Sequence, residues 1–206
     1  MTHHPLTALP AFRHQNLLIE FASLKHAAPR GIYLSLTPNN ATVWHGVMFI
    51  RRGLYRGAIL RFTLTFPFAY PSTPLDIILV TRVFHPLVSP KHGKFSIPGH
   101  PAPQDVLEAL ERFKSAFEDE GELERVREGD VVDREAWRAW NGRRETKGGW
   151  CERVEKCVRR SVEAVEEKAE EDVIRFGEIL EREEVEALVE EARRNLRERG
   201  VEVREC

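Results

Sequence analysis

Cysteine and histidine offer most of the reactive chemistry in this chain, with three of the first and eight of the second. A thiolate is both a nucleophile and a soft metal ligand, and an imidazole serves as base or ligand. Spacing decides whether either is used. Cys151 and Cys157 stand six apart in a run of helical period, and Cys206 is the last residue. No Cys/His pair has the spacing of a metal site, and His3-His4 lies in a patternless arm, so no metal or cofactor is expected. Ser96 shares an irregular stretch with His92 and His100, but no neighbouring pattern supplies it with a base, and it reads as a solvated loop serine. Cys151 and Cys157 read as small packing residues, and Cys206 as a dangling end.

The frame that must position any such group runs from Val43 to Pro86. Ile59, Arg61, Thr63 and Thr65 alternate with Leu60, Phe62, Leu64 and Phe66, the period of a half-buried antiparallel strand. Gly53 and Gly57 bracket Tyr55 before it, and Pro67, Pro71 and Pro74 punctuate the gap after it. Ahead of this frame, residues 1–12 form a mobile arm and 13–27 an amphipathic helix, followed by strands over 31–37 and 42–50. Residues 87–104 hold four prolines and two glycines and read as irregular. A helix over 105–119 starts at Asp105, a suitable N-cap. Residues 120–132 read as charged loop, 133–140 as a short helix behind Asp133, and a further helix starts near Trp150. The pattern predicts an α+β fold: an N-terminal helix, a four-stranded antiparallel meander and C-terminal helices.

Net charge is −2, but residues 1–100 stand at +8 and residues 101–206 at −10. The plain reading is a sheet with a basic rim meeting acidic helices. No Lys/Arg-rich run with interleaved aromatics occurs, so no nucleic-acid binding is expected. Three cysteines without a framework suit a reducing compartment. MTHHPLTALP lacks an apolar signal-peptide region, and no run approaches membrane-spanning length. A soluble, cytoplasmic protein without membrane insertion is expected.

The ordered set Trp44, Gly53, Tyr55, Gly57, Phe66-Pro67, Tyr70-Pro71-Ser72-Thr73-Pro74 and His85-Pro86, with helices on either side, resembles the ubiquitin-conjugating enzyme fold. The resemblance covers roughly residues 13–165, leaving 166–206 as an acidic helical extension. It implies structural roles for Trp44, Tyr55, His85 and Pro86, with His85 tying down its loop by hydrogen bonds. Enzymes of that family carry ubiquitin as a thioester on a cysteine about ten residues after the His, and an Asn after His-Pro is associated with the oxyanion. Phe95 stands at the expected cysteine position and Leu87 at the expected asparagine, and no cysteine occurs between Met1 and Trp150. No catalytic residue is therefore expected.

VFHPLVSP and TVWHGVMFIRRGLYRGAILRF are most similar to the Fused Toes/AKT-interacting protein group of inactive relatives. That resemblance implies a non-catalytic protein-binding scaffold in vesicle transport, with Hook-type coiled-coil adaptors as partners. The alternative is a ubiquitin-binding conjugating-enzyme variant that assists an active enzyme, with partners from the ubiquitin pathway. A third possibility is an active enzyme using another nucleophile. The resemblance to conjugating enzymes, which meet their ligases through two loops, implies candidate partner-binding residues Phe68, Tyr70, Pro71 and Pro74, and Pro101 and Pro103. The acidic extension is a second candidate surface, either docking on a partner or folding back on the basic half.

Overall fold

The computed structural model describes residues 10–98, 101–144 and 149–166. Helix α1 (Pro10–Ala27) leads into strands β1 (Ile32–Thr37), β2 (Asn40–Phe49), β3 (Ile59–Thr65), β4 (Asp76–Leu79) and β5 (Lys94–Phe95). Helices α2 (Val106–Glu118), α3 (Glu120–Arg125), α4 (Arg134–Asn141) and α5 (Gly149–Glu166) follow. The strands lie in chain order in one antiparallel sheet. The acidic extension beyond Glu166 and the arm before Pro10 lie outside the described residues.

The alternation of β3 becomes burial directly. Leu60, Phe62 and Leu64 are buried, while Ile59, Arg61, Thr63 and Thr65 are half-buried on the other face. Phe62 sits opposite Gly46 of β2, and its ring occupies the space a side chain there would need. Gly53 answers a different demand. Its φ is +75°, and a Cβ would lie 2.7 Å from the Glu118 carbonyl oxygen, so only glycine fits the turn against the end of α2. Glu118, itself buried, accepts from the Arg51 N–H and from Arg52 Nε, each at 3.1 Å. One carboxylate thereby joins the helix to the turn after β2.

The helices are capped where short polar residues precede them. Asp105 accepts from Glu108 N at 2.8 Å, and Glu108 in return accepts from Gln104 N at 2.9 Å, a reciprocal arrangement close to a capping box. Asp133 caps α4 through the N–H groups of Glu135 and Ala136. The inner face of α2 carries Leu110, Phe113 and Phe117 into the core. Helix α5 is held to the sheet by a buried serine. Ser161 Oγ accepts from Ile59 N at 3.0 Å and donates to Val158 O at 2.6 Å, while Trp150 packs against Trp140 and Phe84.

Two local expectations change. The sheet has five strands rather than four, because the two-residue β5 pairs with β4 inside the proline-rich stretch. Residues 120–132 are not wholly loop. Asp119 caps α3 by accepting from Gly121 N, and Leu123 and Val126 turn inward to the core. They stand three positions apart, Val126 being the C-cap of α3, and one turn puts both on the same side.

Gly46→Ala is expected to lower stability by about 1–3 kcal/mol in urea denaturation, since the new methyl group must displace the Phe62 ring. Combined with Phe62→Leu it should cost less than the two single changes together. Strict additivity would show that the ring does not fill the glycine's space.

Candidate functional site

Beyond β4 the chain passes through Phe84-His85-Pro86-Leu87 on its way to β5. His85 is fully buried, with its ring stacked on Phe117 at a centroid distance of 4.5 Å. Its Nδ1 accepts from Leu87 N, and its Nε2 lies 3.1 Å from the Ala116 carbonyl oxygen. A carbonyl can only accept and an N–H can only donate, so the imidazole is neutral with its proton on Nε2. Burial lowers its pKa to about 4, against the smaller opposing effect of the Ala116 bond. Tyr55 lies beside it and donates to Phe84 O at 2.6 Å. Burial pushes the Tyr55 phenol well above its ordinary pKa, so it stays a donor. Pro86 O accepts the N–H groups of Val132 and Asp133, which brings the start of α4 onto the same loop.

Phe95 and Leu87 are 2% and 0% exposed, respectively. Phe95 pairs with Ile77 of β4 and meets Phe113 and Phe117 of α2, at ring-centroid distances of 5.0 and 6.1 Å. Ser96 is half-buried, and its N–H donates to Leu87 O. His92 is exposed, and His100 lies outside the described residues. Cys151 is exposed on α5, which removes it from any packing role, and Cys157 is half-buried. Burial raises the Cys157 pKa, opposed by the Phe84 N–H and by Arg160, Arg153 and Lys156. A raised pKa leaves less thiolate at neutral pH. Among the described residues no group of three or more His, Cys, Asp or Glu could hold a metal ion, and no helix is long and apolar enough to cross a membrane.

The two candidate partner-binding loops converge on one residue of α1. Glu20 Oε1 accepts from Tyr70 Oη at 2.5 Å and from Val106 N at 3.1 Å, so it touches both the β3–β4 loop and the head of α2. Burial, then the Glu20 bond and charge, raises the Tyr70 pKa. Arg13, about two turns earlier on α1, donates to Phe66 O and Pro67 O and lies 5.5 Å from the Phe68 ring centre. Arg112 similarly holds the second loop through Pro98 O and Pro101 O. Phe68 projects from this pinned base, 73% exposed. Pro71 and Pro101 are exposed and Pro74 is half-buried. Tyr70 is half-buried against Phe66 and serves as an anchor of its own loop. Pro103 is buried and so is unavailable to a partner.

Residues 16–98 match the family model described as Ubiquitin-conjugating enzyme. Over those residues the chain is similar to the ubiquitin-conjugating enzymes, and its α+β fold is consistent with theirs. Its sequence is similar to AKT-interacting protein of Danio rerio, with 36% identity over 89 residues, or 43% of this chain and 30% of that protein. It is similar also to AKT-interacting protein of Homo sapiens, with 34% identity over 89 residues, again 43% of this chain and 30% of that one. Protein crossbronx homolog of Culex quinquefasciatus is 34% identical over 101 residues, 48% of this chain and 40% of that protein. The matched part thus spans less than half the length of these relatives. They support placing the matched part with the Fused Toes/AKT-interacting protein group of conjugating-enzyme-like proteins.

Glu20, Arg13 and Arg112 were not singled out in the sequence. Glu20 carried a faint signal, being one of two acidic residues in the first hundred. The arginines carried none, because the groups they bind are backbone carbonyls.

The buried imidazole makes stability depend on pH. The unfolded histidine binds a proton near pH 6.5 and the folded one only near pH 4, so stability is complete above pH 6.5 and falls as pH drops towards 4. The loss over that window is expected to reach about 3 kcal/mol. Urea titrations at several pH values should show it, and His85→Phe should be less stable at pH 7 and lack this component of the slope. An equal slope in the variant would assign the pH effect elsewhere.

Proposed function

We propose that this chain is a catalytically inactive conjugating-enzyme-like protein whose domain serves as a protein-binding scaffold. The observation that carries the reading is the burial of Phe95 and Leu87 at 2% and 0% exposure, where an active enzyme keeps its thiol and its asparagine. Neither side chain can attack or be attacked, and neither opens to a thioester. The raised pKa of Cys157 argues against that thiol as a substitute nucleophile. The name AKT-interacting protein, borne by relatives at 34–36% identity, favours binding to other proteins.

The proposed binding face is the one built around Phe68, with Pro71 and Pro101 beside it. An exposed aromatic on a loop pinned by Arg13 and Glu20 meets a partner with little ordering cost. For the partner we propose a coiled-coil adaptor of the Hook type and a cytoplasmic role in vesicle transport.

Incubation with activating enzyme, ubiquitin and ATP should give no reducible adduct. An adduct abolished by Cys151→Ala or Cys157→Ala would overturn the scaffold reading. Affinity capture with partner identification should recover coiled-coil transport adaptors, and Phe68→Ala should weaken that capture on the order of tenfold or more while leaving thermal stability unchanged. Recovery of an active conjugating enzyme instead, with ubiquitin-induced NMR shifts, would favour the ubiquitin-binding alternative.

A further inference from the structure

A second surface lies between the segment 80–84, which leaves β4, and helix α5. It is a groove of about 520 Å³. Its apolar part is made by Val80, 62% exposed, and the half-buried Val83 and Cys157, with Phe84 buried beneath. Its charged part is made by Arg82 on one wall and Arg153, Lys156 and Arg160 on the other. No aspartate or glutamate lines it.

The three α5 cations are spaced by three and then four residues, which puts them in one row along the helix. At 1.5 Å per residue the row is roughly 10 Å long. Arg153 is partly committed, since its guanidinium lies 3.8 Å from the Phe84 ring centre and pairs with Glu135 at 2.6 Å. Arg82, Lys156 and Arg160 show no carboxylate partner among the described residues. The neighbouring pair Arg159–Glu163 lies on the same helix, so acids are at hand on α5 but not turned towards the groove. Like charges gathered around an apolar cleft repel one another unless an anion covers them.

We propose that this groove docks an acidic amphipathic helix of a protein partner, with carboxylates along the Arg153–Lys156–Arg160 row and an apolar side chain over Val80. A helix supplies carboxylates at intervals of three and four residues, the spacing of the row itself, and an apolar side chain between them. A phosphate lattice, whether membrane or nucleic acid, matches the charge but leaves the apolar floor uncovered. The groove shares no residue with the Phe68 face, and the inference stands whether or not that face binds a partner.

The probe is a short designed helical peptide with Glu and Leu in amphipathic period, labelled with fluorescein and titrated against the full chain by anisotropy. Counterpart peptides carry Lys for Glu, or Ala for Leu. The Glu/Leu peptide should bind, both counterparts should bind more weakly, and amide shifts should gather in 80–84 and 153–164. The pair Lys156→Glu and Arg160→Glu, both at exposed positions, should weaken binding on the order of tenfold or more. Val80→Ser should weaken it roughly fivefold, which a purely ionic attraction would not show. The proposal is overturned if the variants bind as the parent does, if the Lys peptide binds equally, or if phosphatidylserine vesicles bind and the peptide does not. Residues 167–192 hold eleven acidic and three basic residues. Binding that appears only after truncation at Glu166 would assign the groove to the chain's own acidic segment and overturn the partner.

Discussion

A neutral imidazole in a dry interior works as a bracket only while both its nitrogens are used. His85 spends one on the Leu87 N–H and the other on the Ala116 carbonyl, and so fixes the chain leaving β4 against the last turn of α2. Several other contacts depend on that placement. Tyr55 reaches Phe84 O, and Pro86 O receives the two N–H groups that open α4. Leaving either His85 partner unpaired in the core costs on the order of 1–3 kcal/mol, a large share of the stability of an ordinary domain. These contacts give the geometry a role in folding whatever else the site does.

Phe95 adds a ring to the group formed by His85, Phe113 and Phe117. Burying a side chain of that size contributes on the order of 2–3 kcal/mol, whereas a reactive cysteine must stay reachable and gains little from packing. Leu87 follows the same logic, being fully buried while its backbone N–H serves His85. Both apolar side chains fill the segment between His85 and the end of β5.

What was legible in the sequence was whatever repeats or caps. The alternation of β3, the apolar face of α2, and the caps Asp105 and Asp133 all rest on local rules acting within a few residues. Helix α3 was hidden because two apolar residues, Leu123 and Val126, are too few to set a period among so many charges. Strand β5 was hidden because two residues have no period at all. At the candidate site, the exposure of Phe68 and the burial of Pro103 are decided by contacts across the fold, Arg13 from α1 in one case and the packing ahead of α2 in the other. Glu20 bridges residues fifty and eighty-six positions away, and no local pattern encodes that.

Among the described residues, the charge asymmetry between the halves is met only in part by ion pairs across them. Arg52–Glu118 joins the basic half to the acidic one, but Arg112–Glu108, Arg125–Glu122, Arg143–Glu124 and Arg153–Glu135 keep the second half's acids occupied with its own arginines. Exposed pairs of this kind add little to stability, so their effect is mainly on the field outside the molecule. By absorbing neighbouring carboxylates they leave Arg82, Lys156 and Arg160 to face solvent around an apolar cleft. A folded domain gains nothing from that arrangement, since it combines unrelieved repulsion with uncovered apolar surface. An acidic, partly apolar segment laid across the cleft relieves both terms together, and this coincidence distinguishes the groove from an ordinary charged surface.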